Sequence, residues 1–239
     1  MSLTCLTWNI WFDDKEFNNR IRNIVEIINI SRPEFIAFQE VTHDSENIIK
    51  KYIKDYHIIG NLSNSYDTII LSKYIPISWD RFLLPNTRMG RNILISVFNI
   101  LKNDKIIPFS FLTFHLESFF SKKSDILKIL QLKNIFDIIN CDDNIIILGD
   151  TNIIKDDISE YIHCNFSDAY EEYLKIDPNI DKNTYSGSTN SNIKKKNLNS
   201  RLDRLFFNQK KLSLMEYKLI GTEKSVYCDS ANEYIHPSD

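Results

Sequence analysis

Five short strings of polar residues follow apolar runs along this chain, and their side chains are of types that can take part in phosphate chemistry. In chain order these side chains are Asn9, Glu40, His115, the pair Asp150 and Asn152, and Asp239. Acidic oxygens bind hard cations such as Mg²⁺, and amide and imidazole groups can bind a phosphate. The set is therefore typical of metal-assisted hydrolysis of a phosphodiester.

Each string is weak evidence when it is taken alone. A glutamate after a strand is usually a solvated turn residue, Asp-Thr-Asn is more often a turn, and a lone histidine such as His115 is more often a hydrogen-bonded core residue. A site is favoured because all of these residues come at predicted strand ends, where active sites are commonly built. There, Asp150 can polarise an attacking water while the amide of Asn152 orients the water or the phosphate.

The elements that must position these residues are predicted from apolar periodicity. Apolar residues recur with helical spacing over residues 17–30 and again over residues 122–139. Two shorter helices are predicted over residues 45–53 and 167–174. Strands are predicted over residues 3–10, 35–38, 56–59, 68–71, 77–82, 93–101, 106–114, 144–148, 201–207 and 213–220.

This order of elements predicts an α/β (α+β) fold, because helices alternate with strands at both ends and a run of strands lies between them. We expect two β-sheets packed face to face, with the helices on the outside. No repeat and no second domain is evident, so residues 1–239 are expected to form a single domain. Residues 189–199, with three consecutive lysines, predict a mobile loop or a solvated linker.

Composition narrows the function classes. The net charge of -3 does not predict general nucleic-acid binding, so such contacts require a local basic groove. The five glycines form no phosphate-cradling loop, which argues against P-loop and Rossmann proteins. The four cysteines are scattered, which favours reduced thiols over a zinc site. The sequence predicts neither a signal peptide nor a membrane partner, and we expect an intracellular protein of the nucleus or cytoplasm.

Read together, the strings resemble the motifs of the endonuclease/exonuclease/phosphatase superfamily, whose fold is a four-layered, DNase I-like α/β sandwich. That superfamily has Asn and Glu in its first two motifs, then His, Asp-x-Asn and a terminal Ser-Asp-His. The matching residues here are Asn9, Glu40, His115, Asp150, Asn152, Ser238 and Asp239.

A narrower resemblance rests on less common strings and covers essentially the whole chain. They are Thr-Phe-His-Leu-Glu-Ser at 113–118, Gly-Asp-Thr-Asn at 149–152, Pro-Asn-Thr-Arg-Met-Gly-Arg-Asn at 85–92, Arg-Leu-Asp-Arg-Leu-Phe-Phe at 201–207 and Leu-Ile-Gly-Thr-Glu-Lys at 219–224. Each is similar to a string of the tyrosyl-DNA phosphodiesterase 2 family. Any one of them is weak, but all of them in order are a specific signal.

The resemblance implies Mg²⁺-dependent hydrolysis, with Mn²⁺ as a substitute, of the bond between a 5′-phosphate of DNA and a tyrosine. Such adducts are left by a trapped type II topoisomerase. Carried over by motif, Glu40 and Asp239 hold the metal, and Asp150 and Asn152 activate and position the water.

The same resemblance implies roles for the other matched residues. Asn9 and His115 contact the phosphate, and Asp203 orients the terminal histidine, as carboxylates commonly do for imidazoles. The implied substrate-binding residues are Arg88, Arg91, Ser118, Tyr185 and Arg204.

The chain departs from the family pattern at three places. Ile154 stands where the relatives carry an arginine, although Lys155 is adjacent, and Tyr185 replaces a DNA-facing tryptophan. No residue follows Asp239, where the family has a histidine, and His236 is not its equivalent. We therefore expect a catalytic domain that lacks the last histidine and closing strand, either through truncation or because the natural chain ends there.

Three functions remain open at this point. The first is an active 5′-tyrosyl phosphodiesterase that acts on DNA as a monomer. The second keeps the fold but changes the substrate to an abasic site or to RNA, including a protein–RNA adduct. The third is an inactive nucleic-acid-binding or interaction module, which the missing histidine suggests. Metal-dependent turnover separates the third from the first two.

Overall fold

Two large β-sheets account for most of the strands. The computed structural model of the protein describes residues 2–102, 104–118, 122–139, 143–194 and 196–238. The first sheet has four strands in the order β1 (Cys5–Asn9), β2 (Phe35–Val41), β4 (Asp67–Ser72) and β3 (His57–Ile59). The second has six, in the order β5 (Ser78–Leu83), β6 (Asn92–Lys102), β7 (Lys105–His115), β8 (Ile145–Asp150), β12 (Asp203–Asn208) and β9 (Phe166–Asp168).

The remaining elements are two small two-stranded sheets and the helices. The two small sheets pair β10 (Tyr185–Ser186) with β11 (Asn199–Ser200), and β13 (Val226–Cys228) with β14 (Glu233–Ile235). The α-helices are α1 (Phe17–Ser31), α2 (His43–Tyr52), α3 (Lys122–Ile138) and α4 (Ala169–Leu174), and a short 3₁₀ helix spans Ser159–Tyr161. None of the described helices has the length and the apolar content needed to cross a bilayer.

The helices form where the sequence supplies one apolar face and a defined start. The buried residues of α1 include Ile21, Ile24 and Ile28, which pack with Phe38 of the first sheet. Helix α2 begins at a capping box, in which the Ser45 N–H donates to Thr42 Oγ1 at 3.3 Å and the Thr42 N–H donates to Ser45 Oγ at 2.9 Å.

The elements stack in four layers. The sheets pack on each other through a core that includes Phe35, whose ring stacks on Phe111 with centroids 4.9 Å apart. Helices α1 and α2 cover the outer face of the first sheet. Helix α3 covers the outer face of the second, where Phe136 meets Phe206 edge to face. The predicted four-layered α/β sandwich is confirmed.

Strand direction brings the polar strand ends to one rim of the sandwich. Strands β1 and β2 are parallel, as are β7 and β8, so the ends of each pair lie at the same sheet edge. His115 is the register partner of Asp150, and Asp203 pairs with Asp150 from the other side. Gln39 joins the sheets, because its amide Nε2 donates to Thr113 Oγ1 at 3.0 Å.

The structure corrects two predictions about secondary structure and adds an element that was not predicted. Residues 213–220 form no strand, because side chains and not a ladder hold this segment: Tyr217 packs against Tyr170 and Tyr173. Residues 167–174 are not one helix, since β9 ends at Asp168 and α4 follows it. The hairpin of β13 and β14 was not predicted from the sequence.

The prediction of a solvated linker over residues 189–199 is wrong for part of that segment. Asn192 and Ile193 are buried. The Asn192 amide donates to the carbonyl oxygens of His236 at 2.9 Å and Ser238 at 3.1 Å, so this part of the segment supports the end of the described chain. Lys195 lies outside the described residues.

Candidate active site

Asn9 and Glu40 come from the first sheet. Glu40 lies in an irregularity of the β2–β4 pairing between Phe38 and Val41, and its φ of 61° is in the left-handed region. Such a bulge redirects a side chain away from the regular alternation of the strand. Asn9 ends β1, and the Trp11 N–H donates to its Oδ1 at 3.0 Å. These two side chains therefore approach Asp150 from the sheet opposite to its own.

Asp150 lies at the centre of the site and is almost fully buried. The Asn9 amide donates to Asp150 Oδ2 at 3.0 Å, and the Asn152 N–H donates to Asp150 Oδ1 at 2.7 Å. Asn152 has a left-handed φ of 51°, and its amide donates to the carbonyl oxygen of Leu116 at 3.2 Å. The tight turn of 150–152 thus places the carboxylate and the amide side by side.

A glycine permits the close approach of the two strands that carry His115 and Asp150. A Cβ atom on Gly149 would collide with the carbonyl oxygen of Phe114. Any other residue would therefore push β8 away from β7 at the point where the two functional side chains meet.

His115 is neutral in this structure, and its contacts fix its tautomer. Burial and the positive charge of Arg91 hold the pKa of His115 well below its ordinary value. The Arg91 guanidinium lies 2.8 Å from His115 Nδ1, and since arginine only donates, Nδ1 must accept. The ring hydrogen is then on Nε2, which faces Asp150 Oδ2 at 3.4 Å but has no hydrogen-bond partner among the described residues.

The neighbouring carboxyl groups of Glu40 and Asp150 would be stabilised by a positive charge at the site. Burial raises the pKa of Glu40, the hydrogen bond with Asn9 opposes the rise, and the charge of Asp150 adds to it. Burial also raises the pKa of Asp150, against hydrogen bonds from Asn9 and Asn152 and attraction to Arg91. A bound cation would relieve this repulsion between the carboxylates.

The donor set fits a magnesium-type ion better than a metal held wholly by protein. No cluster of three or more His, Cys, Asp or Glu side chains suited to a metal occurs in the described ranges. Mg²⁺ is usually bound through one or two carboxylates, with waters and substrate phosphates completing its shell. Glu40 meets that requirement, whereas Asp239, the other expected ligand, lies outside the described residues.

The positively charged side chain of Arg91 lies beside the carboxylates of Glu40 and Asp150. Its guanidinium is buried, lies 3.5 Å from Ser118 Oγ and stands over the ring of Tyr66 at 5.4 Å from the centroid. The Tyr66 ring stacks in turn on Phe12, with centroids 4.6 Å apart. Arg88 lies on the same loop and is exposed.

The structure brings most of the other predicted residues to this rim. Asp203 pairs with Asp150 in the sheet, and its N–H donates to Thr184 Oγ1 at 3.0 Å. Tyr185 follows Thr184 directly and so lies at the same end of β12. Ser238, the residue before Asp239, lies next to β1, because the indole N–H of Trp8, the neighbour of Asn9, donates to Ser238 Oγ at 2.8 Å.

The structure does not bring Arg204 to the site. Its guanidinium is buried and donates to Asp168 Oδ2 at 3.2 Å and to the carbonyl oxygens of Lys155 and Asp156 at 2.8 and 2.9 Å. Neighbouring residues of a strand point to opposite faces, so Arg204 turns away from the side chain of Asp203. Lys155, the neighbour of Ile154, is engaged with Glu160 at the surface.

Several residues of the site were not found from the sequence. Tyr66 stands in a polar loop and Phe12 at the end of an apolar run, and nothing in the pattern distinguishes either from ordinary surface aromatics. Glu117 carried a usable signal, because a charged residue within the buried string 113–118 is unusual. Its carboxylate is fully buried and bonded to the loop that carries Arg88.

Several known proteins are similar to this chain in sequence or in fold. Tyrosyl-DNA phosphodiesterase 2 of Rattus norvegicus is 29% identical over 238 residues, which covers 93% of this chain and 62% of that protein. The chain thus spans less than two thirds of the length of that relative. Residues 6–216 match the Endonuclease/Exonuclease/phosphatase family.

Two solved structures share the fold. Truncated Caenorhabditis elegans TDP2 superimposes with a TM-score of 0.84 at 23% identity, covering 99% of this chain and 93% of that one. D. rerio TDP2 complexed with single strand DNA product gives a TM-score of 0.83 at 22% identity, covering 99% of this chain and 94% of that one. Because the family match extends over most of the sequence, this protein belongs to the Endonuclease/Exonuclease/phosphatase family.

Proposed function

We propose that this protein is a divalent-metal-dependent phosphodiesterase that releases tyrosine from the 5′ phosphate of DNA. The contiguous contacts from Arg91 through His115 and Asp150 to Asn9 carry the proposal, because they set phosphate-binding donors against a buried carboxylate. The similarity to tyrosyl-DNA phosphodiesterase 2 supports this choice of substrate. The proposed adduct is the one left by a trapped type II topoisomerase.

The cationic side of the site is suited to bind the phosphate. Arg91 supplies a charge that forms no ion pair with a carboxylate among the described residues, and His115 supplies a neutral N–H at Nε2. Asn9 and Ser118 add short polar groups at either end of this surface. Donors fixed in a buried site stabilise the growing negative charge of the transition state more than mobile water does.

The acidic side is suited to prepare the water. Asp150 accepts a proton from the attacking water, and Asn9 and Asn152 hold its carboxylate in place. The Asn152 amide donates to the carbonyl oxygen of Leu116 through Nδ2, which leaves its amide oxygen as the group that would orient the same water. Asp203 is the register partner of Asp150 on the adjacent strand, which places it at the same rim.

We assign the metal to Glu40, with Asp239 as the second carboxylate. Members of this family are generally dependent on a divalent metal, and we propose Mg²⁺, with Mn²⁺ able to replace it. The ion supplies charge neutralisation at the phosphate when it is bound. We further propose that the chain acts as a monomer and that the four-layered sandwich is one catalytic domain.

The direct test is release of tyrosine from a 5′-phosphotyrosyl oligonucleotide, with Mg²⁺ and with a chelator. We expect release only with the metal. A duplex with an abasic site and a 5′-tyrosyl RNA are tested beside it. Faster turnover of either one would replace the proposed substrate, and no turnover of any of the three by the folded protein would favour a binding module.

Substitution of Asp150 tests the site itself. Asp150→Asn keeps the shape but removes the proton acceptor, so we expect a loss in rate of about 10²- to 10³-fold with little change in melting temperature. The matched control is Asp229→Asn, at an exposed turn between β13 and β14. Near-parental rates in Asp150→Asn would contradict the assignment.

A further inference from the structure

The loop between β5 and β6, residues 84–91, is attached to the end of β7 by one buried carboxylate. Glu117 Oε1 accepts from the Thr87 hydroxyl and the Arg88 N–H at 2.7 Å each, and from the Met89 N–H at 3.2 Å. All three donors belong to this one loop. The carboxylate thus replaces the backbone partners that an irregular loop lacks.

The attachment continues to the backbone of Arg91. The Thr87 hydroxyl donates to Glu117 and at the same time accepts from the Arg91 N–H at 2.7 Å. The side chain of Arg91 is held from the same strand end, through His115 Nδ1 at 2.8 Å. Two residues of β7 and its extension, His115 and Glu117, therefore fix both ends of one arginine.

Helix α3 holds the start of the same loop. Gln131 Nε2 donates to the carbonyl oxygen of Pro85 at 3.3 Å, and Gln131 Oε1 accepts from the Glu117 N–H at 3.3 Å. Glu117 and Gln131 are both fully buried. The loop is thus hydrogen-bonded to two elements of the fold, the extension of β7 and helix α3.

A role in packing alone explains this carboxylate poorly. A buried carboxyl group is costly unless it is well bonded, and an apolar residue of similar volume is often as stable or more stable. Glu117 Oε2 is buried and has no hydrogen-bond partner among the described residues. The bonds that offset this cost all lead to the segment that carries Arg88 and Arg91.

We infer that Glu117 is a positioning residue, which acts through Thr87 to hold Arg91 where it binds the substrate phosphate. This inference rests on the proposed function, since it gives the arginine a phosphate to bind. Glu117 itself contacts no reacting atom.

Thr87 offers the cleaner pair of variants. Thr87→Val keeps the shape but removes the hydroxyl between Glu117 and Arg91, and Thr87→Ser restores it. We expect Thr87→Val to raise KM about tenfold, the size expected for one hydrogen bond to a charged group, with kcat within about threefold of the parent. Thr87→Ser should return KM toward the parental value.

A second pair tests Glu117 directly. Glu117→Gln keeps an oxygen that can accept the three bonds, whereas Glu117→Met fills the space without an acceptor. We expect Glu117→Met to raise KM more than Glu117→Gln does and to speed amide hydrogen exchange at Arg91. Variants that lower the melting temperature but leave KM and this exchange unchanged would show a structural role only.

Binding in the presence of a chelator separates this inference from the proposed function. The probe is a 5′-phosphorylated single-stranded oligonucleotide, and Thr87→Val should weaken its binding about tenfold relative to Thr87→Ser. A parent that binds the probe but releases no tyrosine overturns the proposed function alone. A parent that does not bind the probe, or equal affinities for the two variants, overturns the positioning role.

Discussion

Buried arginines occur in two regions of the second sheet, and their surroundings differ in charge. Arg201 donates to both oxygens of Asp168 at 2.6 Å and to Glu171 at 2.7 Å, and Arg204 shares Asp168. Arg91 instead contacts a neutral histidine, a serine hydroxyl and an aromatic face. None of the ion pairs among the described residues includes Arg91.

This comparison shows how to separate an arginine that supports the fold from one that can bind a ligand. Where a carboxylate neutralises the guanidinium, as Asp168 does for Arg201 and Arg204, little attraction is left for a phosphate. Arg91 has no carboxylate in direct contact among the described residues, and its attraction to Asp150 acts at longer range, so it can still gain from binding an anion. Arg91 therefore has the environment expected of a phosphate-binding residue, whereas Arg204 does not.

The largest effect is expected where the shared carboxylate of Arg201 and Arg204, that of Asp168, loses its charge. Asp168→Asn leaves the two buried guanidinium groups without their shared negative charge, which should lower the free energy of unfolding by about 3–5 kcal/mol. The change is measured by chemical denaturation. The matched control is Asp55→Asn, because the exposed Arg32–Asp55 pair should contribute only about 0–1 kcal/mol. Equal losses in the two variants would contradict the comparison.

Removal of the Arg91 guanidinium should affect the reaction and not the stability of the fold. Arg91→Met replaces the cation by an apolar side chain of similar length, so kcat/KM should fall about 10²-fold while the unfolding free energy changes little. Arg22→Met, on the exposed side of α1, is the matched control and should retain the parental kcat/KM. If Arg91→Met unfolds the protein and keeps its specific activity, the two regions do not differ in the way described.

The pH dependence of stability gives the smallest expected effect. His115 has a lowered pKa when folded, so below about pH 6.5 the unfolded chain binds more protons than the folded one. This residue should therefore lower the free energy of unfolding as the pH falls through that value, by up to about 1.4 kcal/mol per pH unit. In Arg91→Met one of the two causes is absent, so the fall should end at a higher pH.

The measurement is denaturant unfolding between pH 7.5 and pH 5, with His115→Gln as the control that lacks the titrating ring. Other groups contribute to the total curve, so the difference between the parent and His115→Gln is the informative quantity. If the effect of His115→Gln on the unfolding free energy has the same pH dependence with and without Arg91→Met, Arg91 does not influence the pKa of the His115 ring.

Sequence patterns predicted the layers of the fold because periodic apolar faces are local signals. The apolar residues of α1 recur at the spacing that buries one helix face, and Asn9, Glu40, His115 and Asp150 come at the ends of strands that the sequence predicts. The segment 213–220 was predicted wrongly as a strand, because Tyr217 packs as a single side chain against Tyr170 and Tyr173 of α4. A short run of apolar residues therefore does not by itself supply a partner strand.

The candidate site was predicted less completely than the fold, because charge pairing is not local. Arg91, Arg201 and Arg204 are the same residue type in the sequence, and the tertiary contacts with Asp168 are what distinguish the last two from Arg91. The left-handed backbone of Glu40 has a similar origin, since the bulge depends on the pairing of β2 with β4. The sequence could not show what Glu117 binds, because its donors lie about 30 residues earlier in the chain.

The hydrogen bond from the Trp8 indole to Ser238 has a consequence for how the protein is made. These residues are 230 positions apart, one in the first strand and the other near the last residue. At about 5–20 residues per second, a ribosome takes roughly 10 to 50 s to supply the second after the first. During that time Trp8 in β1 lacks its partner Ser238, so nascent chains should be more sensitive to proteases and more dependent on chaperones than chains that include Ser238.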